Sequence, residues 1–347
     1  MPKLASLRLL SPAKLNLHLE VLGRREDGFH DLETLMTTVT IFDAFKFSGN
    51  TNGAIDLRCR WMEGPSNVAP MHAPQPEDWG EQLSDHNLEA SPVAGASSPR
   101  TSCHRDSILG DLPPEKENLI YRAAELMRKE ARLERGLSRE SRTLMEQGVS
   151  VDVAKRIPSA AGLGGASSNA ATTILALNRL WRLDWPAERL AEIAARLGSD
   201  IPFFIYGGAA VCRGRGEIVQ PVKFKDALHV VVLRPPAGLS TGEVFSSLKQ
   251  TSYEPRPIAP ILRSMAGGDV AKLASQLFNR LQQAASNLCQ WVTVLQKEFA
   301  RVGCVGHQMT GSGSCYFGIG RNRQHALHLF HRLRQRRLGL VYLCRTG

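Results

Sequence analysis

The 347 residues contain no C-x-x-C pair, no Gly-Lys dipeptide and no apolar run approaching the ~20 residues that a bilayer span needs. Each absence excludes a class. Seven cysteines, odd in number and scattered, fit neither a disulfide framework nor a zinc site, so a reducing compartment is expected. The start, "MPKLASLRLLSPAKL", lacks the longer apolar region and small-residue cleavage site of a secretory signal, which places the expected location in the cytoplasm with no membrane association. Without Gly-Lys there is no P-loop. The dinucleotide fingerprint fails as well, because Ser167 stands where its third glycine belongs. Nor is Ser312 in a nucleophile elbow, since Thr310 occupies the first glycine position. No carboxylate cluster suggests a metal held by the protein alone, so no metal ligands are assigned.

What the chain does carry is positive charge. Lys and Arg outnumber Asp and Glu by 43 to 33, a net +10 that suits either nucleic acid or an anionic small molecule. Charge does not choose between them. Much of it lies in "RNRQHALHLFHRLRQRR", where Ala326, Leu327, Leu329, Phe330 and Leu333 predict a helix with one buried face and a solvated basic one.

Strands and helices are both legible. "AKLNLHLEV" alternates strictly, setting Leu15, Leu17, Leu19 and Val21 on one face and Lys14, Asn16, His18 and Glu20 on the other. A turn-rich "GRREDGFHDL" and a strand region, "LMTTVTIFDAFKF", follow. Residues 61–114 have no sustained period and read as a disordered or surface insertion. Helical spacing resumes in "ENLIYRAAELMRKEARL" and recurs in "PAERLAEIAARLG", where Gly198 is the expected stop, and in "AKLASQLFNRLQQAA". The apolar strand "HVVVLRPP" follows a boundary placed between residues 224 and 225.

The most informative stretch is "RIPSAAGLGGASSNAAT". Val149, Val151 and Val153 before it alternate as a half-buried strand, and Ala171, Ile174, Leu175, Asn178 and Trp181 after it recur at helical spacing. Gly162, Gly164 and Gly165 therefore sit on a strand-to-helix turn. A helix N-terminus presents unpaired N–H groups and the positive end of the helix dipole, and glycines let the main chain approach an anion closely. Ser167 and Ser168 add hydroxyls at the helix start. The turn reads as a phosphate cradle; a tight turn with serine caps and no ligand is the plain alternative.

"PSAAGLGGASSNAA" resembles the ATP-binding loop of the GHMP kinases, the superfamily that includes homoserine and mevalonate kinases. "SPAKLNLHL" and "MTGSGSCYFGI" match two further motifs of that superfamily in the expected order. Within it, "PAKLNLHLEVLGRREDGFHDLETLM", "GLGGASSNAAT" and "LGSDIPFF" resemble the branch that phosphorylates the 2-hydroxyl of 4-diphosphocytidyl-2-C-methyl-D-erythritol on the methylerythritol phosphate route to isoprenoids. The resemblance covers most of the chain outside 61–114.

It implies an α+β fold of two domains: residues 1–224, resembling the second domain of ribosomal protein S5 and carrying the insertion, and residues 225–347, ferredoxin-like. It implies ATP and Mg2+, with ATP bringing most of the ligands of the metal. The implied catalytic pair is Asp200, as proton acceptor, and Lys14. On their own residues, a turn or capping carboxylate and an exposed strand lysine are the alternatives. The implied ATP loop comprises Pro158, Ala161, Gly162, Leu163, Gly164, Gly165, Ala166, Ser167 and Ser168. The implied acceptor site comprises Asn16, Phe29, His30, Thr241, Phe245, Gly311, Ser312 and Gly313; Phe29 stands where many members have Tyr, and Phe245 is equally readable as core. The implied partner is a small molecule, not nucleic acid, and the expected state is a monomer or weak homodimer. Another small-molecule GHMP kinase, of homoserine or mevalonate type, is the nearest rival; an RNA-binding protein is the rival of another class.

Overall fold

β1 (Ser6–Arg24) and β2 (His30–Gly49) pair antiparallel along nearly their whole length. The connection is built locally: Asp27 Oδ1 accepts from Phe29 N at 3.1 Å and Gly28 takes a left-handed φ of +83°, which leaves Phe29 projecting. The structure, a computed structural model, describes residues 6–62, 109–248 and 254–347. Most of the stretch read as an insertion, 63–108, lies outside the described residues. At its edges, Trp61 ends a strand, and Ser159 N donates to Leu109 O at 2.8 Å beside the glycine-rich turn.

β3 (Ile55–Trp61), β4 (Val149–Lys155), β5 (Ala209–Gly214) and β6 (Ile218–Val222) complete a sheet ordered β3-β4-β2-β1-β8, in which β8 is Phe278–Asn279 and the β5–β6 hairpin joins β2. A second sheet is ordered β11-β7-β10-β9, from β7 (His229–Arg234), β9 (Gly306–Met309), β10 (Tyr316–Gly320) and β11 (Leu340–Arg345). The boundary drawn between 224 and 225 falls in the loop joining β6 to β7. One apolar cluster lies between the first sheet and the helices Leu119–Leu133 and Gly165–Leu180. Another gathers Ala13, Leu15 and Val39 with Val230, Phe317 and Tyr342, so the two sheets share a core. That shared burial fixes the second half against β1, where the site forms.

Three expectations are corrected. Alternation along β1 is not strict: the register with β2 shifts between Asn16 and His18. Lys14 and Asn16 face the cavity described below, but beyond this bulge Leu19 does so instead. His18 lies 5.7 Å from the Phe278 ring and Glu20 forms a bidentate pair with Arg280, both bonds 2.7 Å. The helix expected over "AKLASQLFNRLQQAA" is split into Val270–Ser275 and Leu281–Leu288, because Phe278 and Asn279 pair in parallel with His18 and Leu19. Finally, Gly198 is not a left-handed stop; the helix closes at Ala195, three residues before it.

The break in the helix has a purpose in the fold. Buried Asn279 donates from Nδ2 to Met309 O and Gly311 O, both at 2.8 Å, and accepts from Leu281 N at 3.0 Å. Asn279→Ala leaves two carbonyls unsatisfied, at about 1–3 kcal/mol each. Urea denaturation is expected to show a loss of roughly 2–4 kcal/mol; an unchanged midpoint would refute this role.

Candidate active site

The strand-to-helix turn forms as its residues predict. Gly162 and Gly164 adopt φ of +73° and +70°, and Gly164 caps the helix Gly165–Leu180 without a side chain. Ser168 N is the first amide to find an acceptor within the helix, Gly164 O at 2.9 Å. The amides of Gly165, Ala166 and Ser167 are thus left for a ligand. Neighbours enforce the glycines: a Cβ on Gly162 would fall 2.2 Å from Thr310 O, and one on Gly164 would fall 2.9 Å from Lys14 Cγ and Phe204 Cζ. Ala160, next to this turn, also holds a positive φ, +47°, the kind of strain that gathers at ligand sites.

Three segments distant in sequence meet here. Lys14 N donates to Leu163 O at 2.9 Å, Asn16 N to Thr310 Oγ1 at 3.1 Å, and Cys315 N to Ala161 O at 3.3 Å. The Gly311–Gly313 turn thereby closes over the end of the glycine-rich loop. Arg234, buried at the end of β7, donates to Ser314 Oγ and Ala237 O, and to Ser159 O at 3.4 Å, which ties the second sheet to the same loop.

A cavity of about 1030 Å³ lies between them. Lys14 reaches it from β1 with its side chain buried; Nζ donates to Asn16 Oδ1 at 2.6 Å and lies 3.8 Å from Asp200 Oδ2. Burial lowers the Lys14 pKa, and the Asp200 charge opposes that shift. Asp200 precedes the helix Ile201–Tyr206 but makes no capping bond, and its side chain is 39% exposed. Its carboxylate is therefore free to act in the cavity. Asp200 does lie in a turn, as its plain reading expects, but its side chain caps nothing, and Lys14 is buried and not an exposed strand lysine.

Elsewhere in the lining, the rings of His30 and Phe245 lie 5.1 Å apart, one from each half of the chain. Phe29 also lines the cavity and carries the Arg215 guanidinium 5.1 Å from its ring centre. Phe245 is half-buried: its body rests on an apolar cluster while its ring borders the cavity, so both of its sequence readings hold in part. Burial, reinforced by Arg24, lowers the His30 pKa, which favours the neutral imidazole, a form that accepts as well as donates. Thr241 Oγ1 and Ser312 Oγ are 2.8 Å apart.

All the expected residues line the cavity except two. Leu163 packs into the shared core and offers only its carbonyl, to Lys14. Ser168 turns inward, its hydroxyl 2.7 Å from Ser11 Oγ and fully buried. One helical position separates it from Ser167, and 100° of rotation carries the side chain from cavity to sheet.

Other lining residues carried no motif. Lys155 shares the parity of Val149, Val151 and Val153, so alternation alone points it inward, although its charge groups it with the polar face. It is buried, with Nζ donating to Asp43 Oδ2 at 2.6 Å and Asn169 Oδ1 at 2.7 Å; Asp43 Oδ1 accepts from Arg156 N and Ile157 N at 2.6 and 2.8 Å. This network anchors the strand end from which the glycine-rich loop departs. Beyond it the cavity continues between Leu112, Pro113, Asn118 and Leu119. Among the described residues no group of three or more His, Cys, Asp or Glu is placed to hold a metal. None of the described helices is long and apolar enough to cross a membrane.

Residues 118–208 match the GHMP kinases N terminal domain and residues 259–337 the GHMP kinases C terminal domain. A 4-diphosphocytidyl-2-C-methyl-D-erythritol kinase of Pelotomaculum thermopropionicum is 32% identical over 94% of this chain and 93% of its own length. The enzyme of that name from Shouchella clausii is 30% identical over 93% and 89%. A crystal structure of a 4-(cytidine 5'-diphospho)-2C-methyl-D-erythritol kinase superposes with a TM-score of 0.70 at 27% identity, covering 98% of this chain and 99% of that one. The crystal structure of L. major mevalonate kinase in complex with R-mevalonate superposes with a TM-score of 0.66 at 13% identity over 99% of this chain and 97% of that one, a likeness of fold alone.

Proposed function

The chain belongs to the GHMP kinases, and within them to the 4-diphosphocytidyl-2-C-methyl-D-erythritol kinases, and from that premise we propose how its residues divide the work. It is an ATP-dependent small-molecule kinase with the two-domain α+β fold of that superfamily. The terminal phosphoryl group of ATP passes to the 2-hydroxyl of 4-diphosphocytidyl-2-C-methyl-D-erythritol, in the supply of isoprenoid precursors. One observation carries the assignment of roles: a single cavity is lined by Gly165, Ala166 and Ser167, whose amides are bare, by the Lys14–Asp200 pair and by the His30–Phe245 pair.

The triphosphate rests on the turn from Gly162 to Ser167, where main-chain donors and the helix dipole offset its charge. The part of the cavity lined by Leu112, Pro113 and Leu119 receives the nucleoside. Asp200 accepts the proton of the acceptor hydroxyl as the oxygen bonds to phosphorus, and Lys14 steadies the carboxylate and the transferring phosphoryl group. Asn16 keeps Nζ of Lys14 aimed there. His30 and Phe245 hold the cytosine by stacking and hydrogen bonds. Mg2+ fits a site of this kind when carried mainly by phosphate oxygens, with the Ser167 hydroxyl as the nearby protein donor; it neutralises phosphate charge. Every residue invoked comes from one copy of the chain.

Purified protein given ATP, Mg2+ and the cytidine-bearing acceptor is expected to release ADP and form one new phosphate monoester, with homoserine and mevalonate giving none. Equal or faster ADP release with either small acid would overturn the assignment. Phe245→Ala removes a stacking contact worth about 1–3 kcal/mol. It is expected to raise the acceptor KM roughly tenfold to a hundredfold while the KM for ATP stays put.

A further inference from the structure

Four cationic side chains among the described residues line the cavity: Lys14, Arg24, Lys155 and Arg215. Two are already committed. Lys14 serves Asn16 and Asp200, and Lys155 is held by Asp43 and Asn169 beneath the glycine-rich turn. Arg24 and Arg215 remain, and both stand on the acceptor's side, Arg24 at the end of β1 and Arg215 on the turn from β5 to β6.

The position of Arg215 is specific. On one side its guanidinium covers the Phe29 ring at 5.1 Å. On the other, its neighbour Gly216 runs so close to the catalytic carboxylate that a Cβ there would lie 3.5 Å from Asp200 Oδ1. Arg215 therefore bridges the aromatic wall and the proton acceptor. Its acidic neighbours are Glu217, whose Oε1 is 3.5 Å from Nε, and Asp27, whose carboxyl feels its charge. At 3.5 Å the Glu217 pair is looser than a hydrogen bond, and it engages Nε rather than the two terminal nitrogens. The side chain is one-third exposed, open to the cavity without being fully hydrated.

The acceptor has the matching layout: a cytosine at one end, the reacting hydroxyl at the other and a doubly charged diphosphate between. We propose that Arg215, assisted by Arg24, binds that diphosphate and so fixes the distance between the stacked base and the hydroxyl at Asp200. This rests on the acceptor assigned above. The planar fork of an arginine suits both tasks, since it stacks on Phe29 while its edge donates to phosphate oxygens; a lysine supplies the charge alone.

Calorimetry with two probes, cytidine and cytidine diphosphate, separates the charge from the stack. The unaltered chain is expected to bind the diphosphate more tightly than the nucleoside. Arg215→Ala is expected to weaken cytidine diphosphate about tenfold or more and cytidine less than about threefold, with Arg215→Lys intermediate for the diphosphate. In turnover, Arg215→Ala raises the acceptor KM and leaves the KM for ATP unchanged. Equal losses for both probes, no loss for either, or equal affinity of the unaltered chain for the two would overturn the proposal. Thermal melts of both variants guard against a folding defect, and Arg215→Lys still decides if the alanine variant melts early. Failure of the unaltered chain to phosphorylate the acceptor sinks the acceptor assignment instead, whereas normal turnover with an unaffected Arg215→Ala sinks only the role of Arg215.

Discussion

Asp200→Asn is expected to lower kcat by about a thousandfold, within the 10²–10⁴ range that a positioned general base contributes, while ATP affinity changes by less than about twofold. The substitution is nearly isosteric, and the side chain it alters makes no helix-capping bond, so the helix Ile201–Tyr206 has no reason to shift. What disappears is the proton acceptor and its charge. The loss extends to Lys14, because burial lowers that ammonium's pKa and the Asp200 charge is the main influence opposing the shift. With the carboxylate neutralised, burial prevails and the Lys14 pKa falls further. Lys14 is charged below its own pKa and neutral above it, so the alkaline limb of the residual kcat profile should move to lower pH in the variant. A pH series on single-turnover rates reads both effects. Activity within tenfold of the unaltered chain would remove Asp200 from proton transfer, and an unmoved alkaline limb would separate it from Lys14.

Such a pair is legible in the sequence only in part, and the reasons are physical. The glycine-rich turn declares itself because its requirements are local: alternating valines end, three glycines intervene and helical spacing begins within a dozen residues. Lys14 and Asn16 share a face by simple alternation, and the structure keeps them together. What periodicity does not carry is pairing across distance. The bulge after Asn16 exists because β1 must satisfy β2 along its length and β8 along one edge, and a two-residue strand from position 278 is invisible in a helical pattern such as "AKLASQLFNRLQQAA". Lys155 and Asp43 are not legible for a related reason. Each is a charged residue in a strand with no motif around it, and only their meeting, at positions 112 apart, makes either one a buried partner and not an exposed polar residue. The motif groups Ser168 with Ser167, and the helical turn parts them: the Ser168 hydroxyl is buried against Ser11. Arg215 carries no pattern at all; its meaning comes from the ring and the carboxylate that the β5–β6 hairpin brings alongside.

Gly162→Ala should be the most damaging of the substitutions in the cradle, and for two reasons that act together. A left-handed φ of +73° costs an alanine about 1–2 kcal/mol. The added Cβ also lands 2.2 Å from Thr310 O and 3.2 Å from Gly313 N and O, all main-chain atoms that no rotamer change can move aside. Relief requires the glycine-rich loop and the Gly311–Gly313 turn to separate. That displaces the amides meant for the triphosphate and, through Asn16 N on Thr310 Oγ1, the strand that carries Lys14. A misplacement of about 1 Å costs on the order of a hundredfold in rate. The expected result is a fall in kcat/KM for ATP of about a hundredfold or more, accompanied by a lower Tm. Gly267→Ala is the control: its Cβ would meet nothing within 4 Å, its φ is ordinary, and it ends the helix Ala259–Gly267 away from the cavity. There alanine should leave turnover unchanged and stability equal or slightly higher, since it restricts the unfolded chain. If Gly162→Ala turns over ATP as fast as this control, the close approach of the two loops is not what shapes the phosphate cradle.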